Sequence, residues 1–238
     1  MDIVWNAIES RRENVRIINL SGGIDSSYLL WNELSKNTGH TILVHHCSIV
    51  NAEGRALVEL VSTRRIVRWL KENVSDSFKY IETTFDYKDI GYVIRDIEIV
   101  AFMNAAILRM PKYRVSEILV SANAHDESND TNEISVVRRR KILDTIGQSG
   151  SDSEKLSFPM LELTKKQIID KMPKDLFGLS WYCRRPIGFS KNGQEVSPLN
   201  DDVVVWKTCD HCKTCKQVID ACIELKIDRP NSMTSLGE

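Results

Sequence analysis

Val15-Arg16-Ile17-Ile18-Asn19-Leu20-Ser21-Gly22-Gly23-Ile24-Asp25-Ser26-Ser27 is the stretch on which the reading of this chain turns. Its first six residues form a short β-branched run that stops at a glycine turn, the pattern of a buried strand. Residues 26–34 then read as a helix. A glycine turn between a strand and a helix is the context in which a loop binds phosphate. Gly22 and Gly23 let the backbone curl and bring N–H groups close to phosphate oxygens. The helix behind them aims its positive end at the same point. Ser21, Ser26 and Ser27 add hydroxyl donors, and the expected nucleotide-binding stretch runs from Leu20 through Ile24 to Ser27. Asp25 would be repelled by bare phosphate, so its place here suits a Mg²⁺ ligand. The Gly-Lys-Ser/Thr ending of the Walker loop is absent.

Working outward, the alternation continues. Residues 41–45 (Thr-Ile-Leu-Val-His) read as a second strand, 79–84 as a third and 117–121 as a fourth. Residues 55–72 and 94–110 carry apolar side chains at helical spacing, the second stretch closed by Pro111. Such βαβα order predicts a doubly wound, mostly parallel α/β sheet with helices on both faces. From 122 to 157 polar residues dominate; the expectation is a site loop, a charged helix over 136–146 and a flexible Ser/Gly/Asp stretch over 148–157. Thr164 is placed to cap a helix that runs to Met172. The expected division is a nucleotide-binding domain over 1–178 and a small helical metal-binding subdomain over 179–238.

That tail holds five of the six cysteines. Cys209, Cys212 and Cys215 recur at three-residue intervals, so a tight turn and the first turn of a helix can face them toward one ion. Cys183 lies 26 residues upstream, within reach of a loop. Four thiolates make the closed tetrahedral set of structural zinc. His211 is the alternative fourth ligand, an iron–sulfur cluster the alternative occupant. Cys47 and Cys222 sit in apolar runs and read as packing residues.

Composition narrows the function classes. The net charge is −1 with 27% charged residues, which argues against bulk nucleic-acid binding. The opening residues lack a cationic stretch and a long apolar run, so the expected compartment is the cytoplasm. There thiols stay reduced and favour metal over disulfides. No run approaches the roughly 20 apolar residues of a membrane helix. Other polar candidates are Asn123, His125 and Asp126 after the fourth strand, Arg95 at a helix start, and Lys165 just inside the helix that Thr164 caps. In an open parallel sheet these strand ends border the ligand crevice. A lysine there would neutralise charge on an α-phosphate during attack. The run Arg138-Arg139-Arg140-Lys141 reads as a solvated face, with a phosphate or RNA contact as its alternative.

The loop over 21–26 resembles the SGGxDS signature of the PP-loop ATP pyrophosphatase superfamily at every fixed position. Together with Leu163-Thr164-Lys165 and the cysteine set, the order of motifs from about residue 14 to 222 resembles the 7-cyano-7-deazaguanine (preQ0) synthase family. The resemblance implies an ATP-dependent ligase with Mg²⁺ and Zn²⁺, acting on 7-carboxy-7-deazaguanine and ammonia, and a homodimer. It also implies catalytic or substrate-contacting roles for Asp25, Ser26, Arg95, Asp126 and Lys165, and zinc ligation by Cys183, Cys209, Cys212 and Cys215. The chain departs from the family at Asp96, over 127–134, at His46-Cys47-Ser48, and in a longer stretch between Cys183 and Cys209. A PP-loop tRNA-modifying enzyme such as a thiolase is a second enzyme reading. A nucleotide-binding interaction module is the non-enzyme reading.

Overall fold

The computed structural model describes residues 12–90, 95–124 and 130–235, except for the side chains of 130–135. Five parallel strands form the central sheet: β1 (Glu13–Asn19), β2 (Thr41–Val50), β3 (Lys79–Asp86), β4 (Tyr113–Leu119) and β5 (Leu156–Ser157). Their order is β3-β2-β1-β4-β5, with every pair parallel. The chain winds outward from β1 to β3 and then returns to place β4 on the other side of β1. The direction of winding therefore reverses between β1 and β4, and the carboxyl ends of these strands open the crevice where such sheets take ligands.

Alternation within each strand explains the two apolar layers. Ile18, Ile42, Val44 and Leu119 face one cluster with α1 (Ile24–Ser35) and α2 (Ala56–Asn73). Ile17, Leu43, Val115 and Ile118 face another with α3 (Asp96–Leu108) and Leu143 of α4 (Asp130–Ile146). Both faces are covered, as a parallel sheet requires. Beyond the sheet, α5 (Lys165–Lys171) and α6 (Lys174–Leu179) join the layer of α1 and α2.

Several expected boundaries shift. The second strand runs on to Val50, through the buried pair His45-His46. The fourth occupies Tyr113–Leu119 rather than 117–121, because the inward positions are Tyr113, Val115 and Ile118. The stretch expected to be flexible over 148–157 instead holds a 3₁₀ turn at Asp152–Lys155 and strand β5. Its organiser is Asp152, fully buried, which accepts from the backbone N–H groups of Gln148 and Ser149 and pairs with Lys155.

The C-terminal part is not simply helical. It carries an antiparallel sheet of β6 (Ile187–Ser190), β7 (Glu195–Val196), β8 (Val203–Lys207) and β9 (Ser232–Thr234), ordered β7-β6-β8-β9. Helix α7 (Lys213–Leu225) packs against α5, where Lys166 pairs with Glu224 at 2.8 Å. Val203, Trp206, Cys215 and Val218 belong to the same buried cluster as α1 and α2, so one apolar core runs from the parallel sheet into this part. Among the described residues, no helix is long and apolar enough to cross a membrane.

Candidate nucleotide site and thiol cluster

The loop between β1 and α1 is built by its own serines. Ser26 Oγ accepts from Ser21 N–H (3.2 Å) and donates toward the Gly23 carbonyl (3.1 Å), closing residues 21–26 into a ring. Ser27 Oγ binds the same carbonyl at 2.7 Å. Gly23 is the N-cap of α1, so the N–H groups of the helix's first turn lead out of the loop. Gly22 takes φ +76°, and a Cβ there would lie 2.8 Å from the Glu59 carbonyl oxygen of α2. Only glycine meets both conditions without strain.

The surroundings hold this curl in place. Leu20 N–H donates to His45 O (2.9 Å), and His46 Nδ1–H donates to Leu20 O (2.8 Å). Gly22 O accepts from Trp181 N–H (2.8 Å) and from Ser62 Oγ (2.9 Å), which also contacts Leu179 O (2.7 Å). Both histidines are fully buried. Burial pushes the His45 imidazole down to about 4 and lowers that of His46, so both are neutral at pH 7, His46 against the loop and His45 between Asn19 and Thr83. Sequence reading passed over His46 and Ser62. A paired histidine inside an otherwise apolar strand was the available signal.

Lys165, 4% exposed, reaches Asp25 with Nζ at 2.6 and 2.5 Å from its two carboxylate oxygens. The sequence separation is 140 residues; the capping box of Thr164 and Gln167 starts α5 at the required place. The end of β4 closes the same corner, since Ala124 N–H donates to Leu163 O at 3.0 Å. A glycine turn at a helix start, a carboxylate and a buried lysine thus meet at the β1/β4 switch point, an arrangement able to take an anion. His125 and Asp126, expected beside them, lie outside the described residues.

On the other flank Arg95, exposed, is the N-cap of α3, and Asp96 enters an ionic cluster. Arg55 is 7% exposed and binds Glu53 (2.6 Å), Glu59 (2.5 Å) and Asp96. Burial alone would lower the Arg55 guanidinium, but the three carboxylates around it carry its pKa well above the ordinary arginine value. Burial raises Glu59 despite Arg55 beside it. Arg184 adds contacts of 3.2 Å to Asp96 and 3.7 Å to Glu53. None of this network was evident in the sequence, because its members are scattered over 130 residues without a motif.

Cys183, Cys209, Cys212 and Cys215 bring their sulfurs within 4.8 Å of one another. Asp210, at φ +61°, turns the chain so that Cys209 and Cys212 face inward, and Cys212 caps α7. Backbone N–H groups of Cys209 (3.2 Å) and Arg185 (3.4 Å) donate to Cys183 Sγ, and that of Cys215 to Cys212 Sγ (3.4 Å). Such bonds stabilise thiolates, the form that binds metal. The set is therefore suited to hold one metal ion. His211 Nδ1 instead faces the Cys209 carbonyl at 2.6 Å. Cys222 packs in the main core, and Cys47 beside Ile49, Tyr87 and Ile99, as expected.

No family model matches the chain, and no curated protein matches it. Among solved structures it is similar to the U34-tRNA thiolase NcsA from Methanococcus maripaludis with its 4Fe-4S cluster, at 13% identity and a TM-score of 0.50. That alignment covers 92% of this chain and 67% of the other. An NMN synthetase from Francisella tularensis aligns at 12% identity and a TM-score of 0.40, over 94% of this chain and 81% of that one. The first of these likenesses is one of fold: a parallel five-stranded α/β sheet with helices on both faces.

Proposed function

We propose that this chain is an ATP-dependent adenylating enzyme of the PP-loop type, and that its substrate is 7-carboxy-7-deazaguanine, converted with ammonia to 7-cyano-7-deazaguanine. The observation that carries the adenylation reading is the meeting of the 21–27 loop with Asp25 and Lys165 at the switch point. In this reading the loop N–H groups hold the β- and γ-phosphates, and Asp25 orients Mg²⁺. Lys165 offsets charge at the α-phosphate. A substrate carboxylate oxygen attacks the α-phosphorus and pyrophosphate leaves. Ammonia displaces AMP to give the amide, with loss of a proton. Adenylation of the amide oxygen by a second ATP then lets AMP depart and leaves the nitrile. The protein's share is to position the reactants and stabilise charge.

Cys183, Cys209, Cys212 and Cys215 would hold zinc, which supplies structural cross-linking here. Their close spacing supports a single ion: with metal–sulfur bonds of about 2.3 Å, tetrahedral sulfurs lie roughly 4 Å apart. The Cys209 and Cys215 sulfurs are 3.9 Å apart. A four-iron cube spreads its ligands more widely, so this spacing weighs against the cluster that NcsA carries.

Mass spectrometry of products from ATP, ammonium and 7-carboxy-7-deazaguanine tests the substrate. Nitrile is the expected product. Unchanged acid rejects this substrate, and amide alone marks a reaction that stops halfway.

A further inference from the structure

The segment between α6 and β6 touches both the thiol cluster and the phosphate loop. Its residues make two separate connections. Along the backbone, Trp181 N–H donates to Gly22 O at 2.8 Å, and Trp181 Nε1 donates to Cys183 O at 2.9 Å. Only one residue, Tyr182, separates the loop's partner from a thiol. The second connection is Arg184. It follows Cys183 directly in the chain, and its guanidinium reaches Asp96 and Glu53. Asp96 binds Arg55, Arg55 binds Glu59, and the Glu59 carbonyl is the atom against which Gly22 is packed. Ser62, in contact with both Gly22 O and Leu179 O, also ties the end of α6, just before that segment, to the loop.

We infer that metal occupancy of the four-thiol cluster sets the pose of the phosphate loop, with Arg184 as the positioning residue that transmits it. This rests on the nucleotide reading of the loop given above. The physical reason is geometric. Pulling four thiolates onto one ion fixes the backbone of 183–185, which is joined through Tyr182 to the Trp181 N–H on Gly22 O and carries the Arg184 guanidinium that binds Asp96. Without the ion, nothing draws the four sulfurs to one point, and the segment loses its anchor. Gly22 O then loses a fixed donor just where the loop must present its N–H groups. Nucleotide and metal binding are thereby coupled, and coupling between two binding equilibria is reciprocal.

The test uses the full-length protein loaded with Zn²⁺ and the same protein stripped by a chelator, titrated with ATP and Mg²⁺ in a calorimeter. The stripped protein is expected to bind ATP on the order of tenfold more weakly. In a chelator competition, saturating ATP is expected to tighten zinc retention by the same factor. Equal ATP affinity in the two forms, with the stripped protein still folded by circular dichroism, would overturn the inference. If the stripped protein unfolds, the zinc-loaded variants decide. Arg184→Ala should keep one zinc per chain yet lose about tenfold in ATP affinity, and Arg184→Lys should recover part of it. An unchanged ATP affinity in zinc-loaded Arg184→Ala overturns the inference. Failure of every form to bind ATP overturns the nucleotide reading itself, and the coupling with it.

Discussion

Gly22 and Gly23 are adjacent, and the structure assigns them different tasks. Gly22 sits at φ +76° with no room for a Cβ, whereas Gly23 has ordinary backbone angles, and its Cβ would meet the Ser21 hydroxyl at 3.1 Å. Gly22→Ala should therefore lose about 1–2 kcal/mol to backbone strain alone, and more if α2 shifts away from the loop. Gly23→Ala should leave stability nearly unchanged. Denaturant titrations of both variants check this contrast; equal losses would mean that the loop is not packed against α2 as described. At the same scale Lys165→Ala should reduce turnover by roughly 100-fold or more. Since Asp25 is partly solvent-exposed, the fold should survive the loss of its partner, and steady-state rates with circular dichroism separate the two effects. The loop, Lys165 and the cysteine spacing were readable because motif and spacing lie along the chain. His46, Arg55 and Arg184 were not, since each acts through residues brought near only by folding.

Among the elements, β2 carries the pH dependence. His45 has both ring nitrogens against side chains, Asn19 Oδ1 at 3.1 Å and Thr83 Oγ1 at 2.8 Å, and burial sets its pKa at about 4. The unfolded chain takes up its proton near pH 6.5, before the folded chain does. This contribution is fully present above 6.5 and is lost as pH falls toward 4, where the loss amounts to about 3 kcal/mol. Unfolding free energies measured between pH 7 and 4 should show that decline, and His45→Gln should reduce it to the share carried by His46, which burial lowers as well. A decline of the same size in the variant would place the titration elsewhere. Helix α5 offers a separate check: Thr164→Ala removes a capping box and should cost about 1 kcal/mol. The cap was legible from Thr164, whereas the part of Gln167 in it came with the structure. Less legible were β5, only two residues long, and the C-terminal sheet. The run Val203-Val204-Val205-Trp206 was its strand signal, but its partner strands are only two to four residues long and carry no comparable pattern.

For the whole molecule, the parallel sheet could be foreseen because β-branched runs and helical periodicity alternate over the first half. The arrangement of the C-terminal part could not, since its strands are short and its contacts run back to α1, α2 and the phosphate loop. The shared core makes a further expectation: removing metal should lower the melting temperature of the entire protein in one transition. Two well-separated calorimetric transitions would contradict a common core. The central claim is that the loop holds the terminal phosphates of ATP and leaves the α-phosphorus open to attack. Its most direct test is ³¹P NMR of the nucleotide products formed with a deazapurine acid and ammonium. AMP and pyrophosphate are predicted, both lost in the Asp25→Ala/Ser26→Ala variant; ADP and orthophosphate would contradict the account.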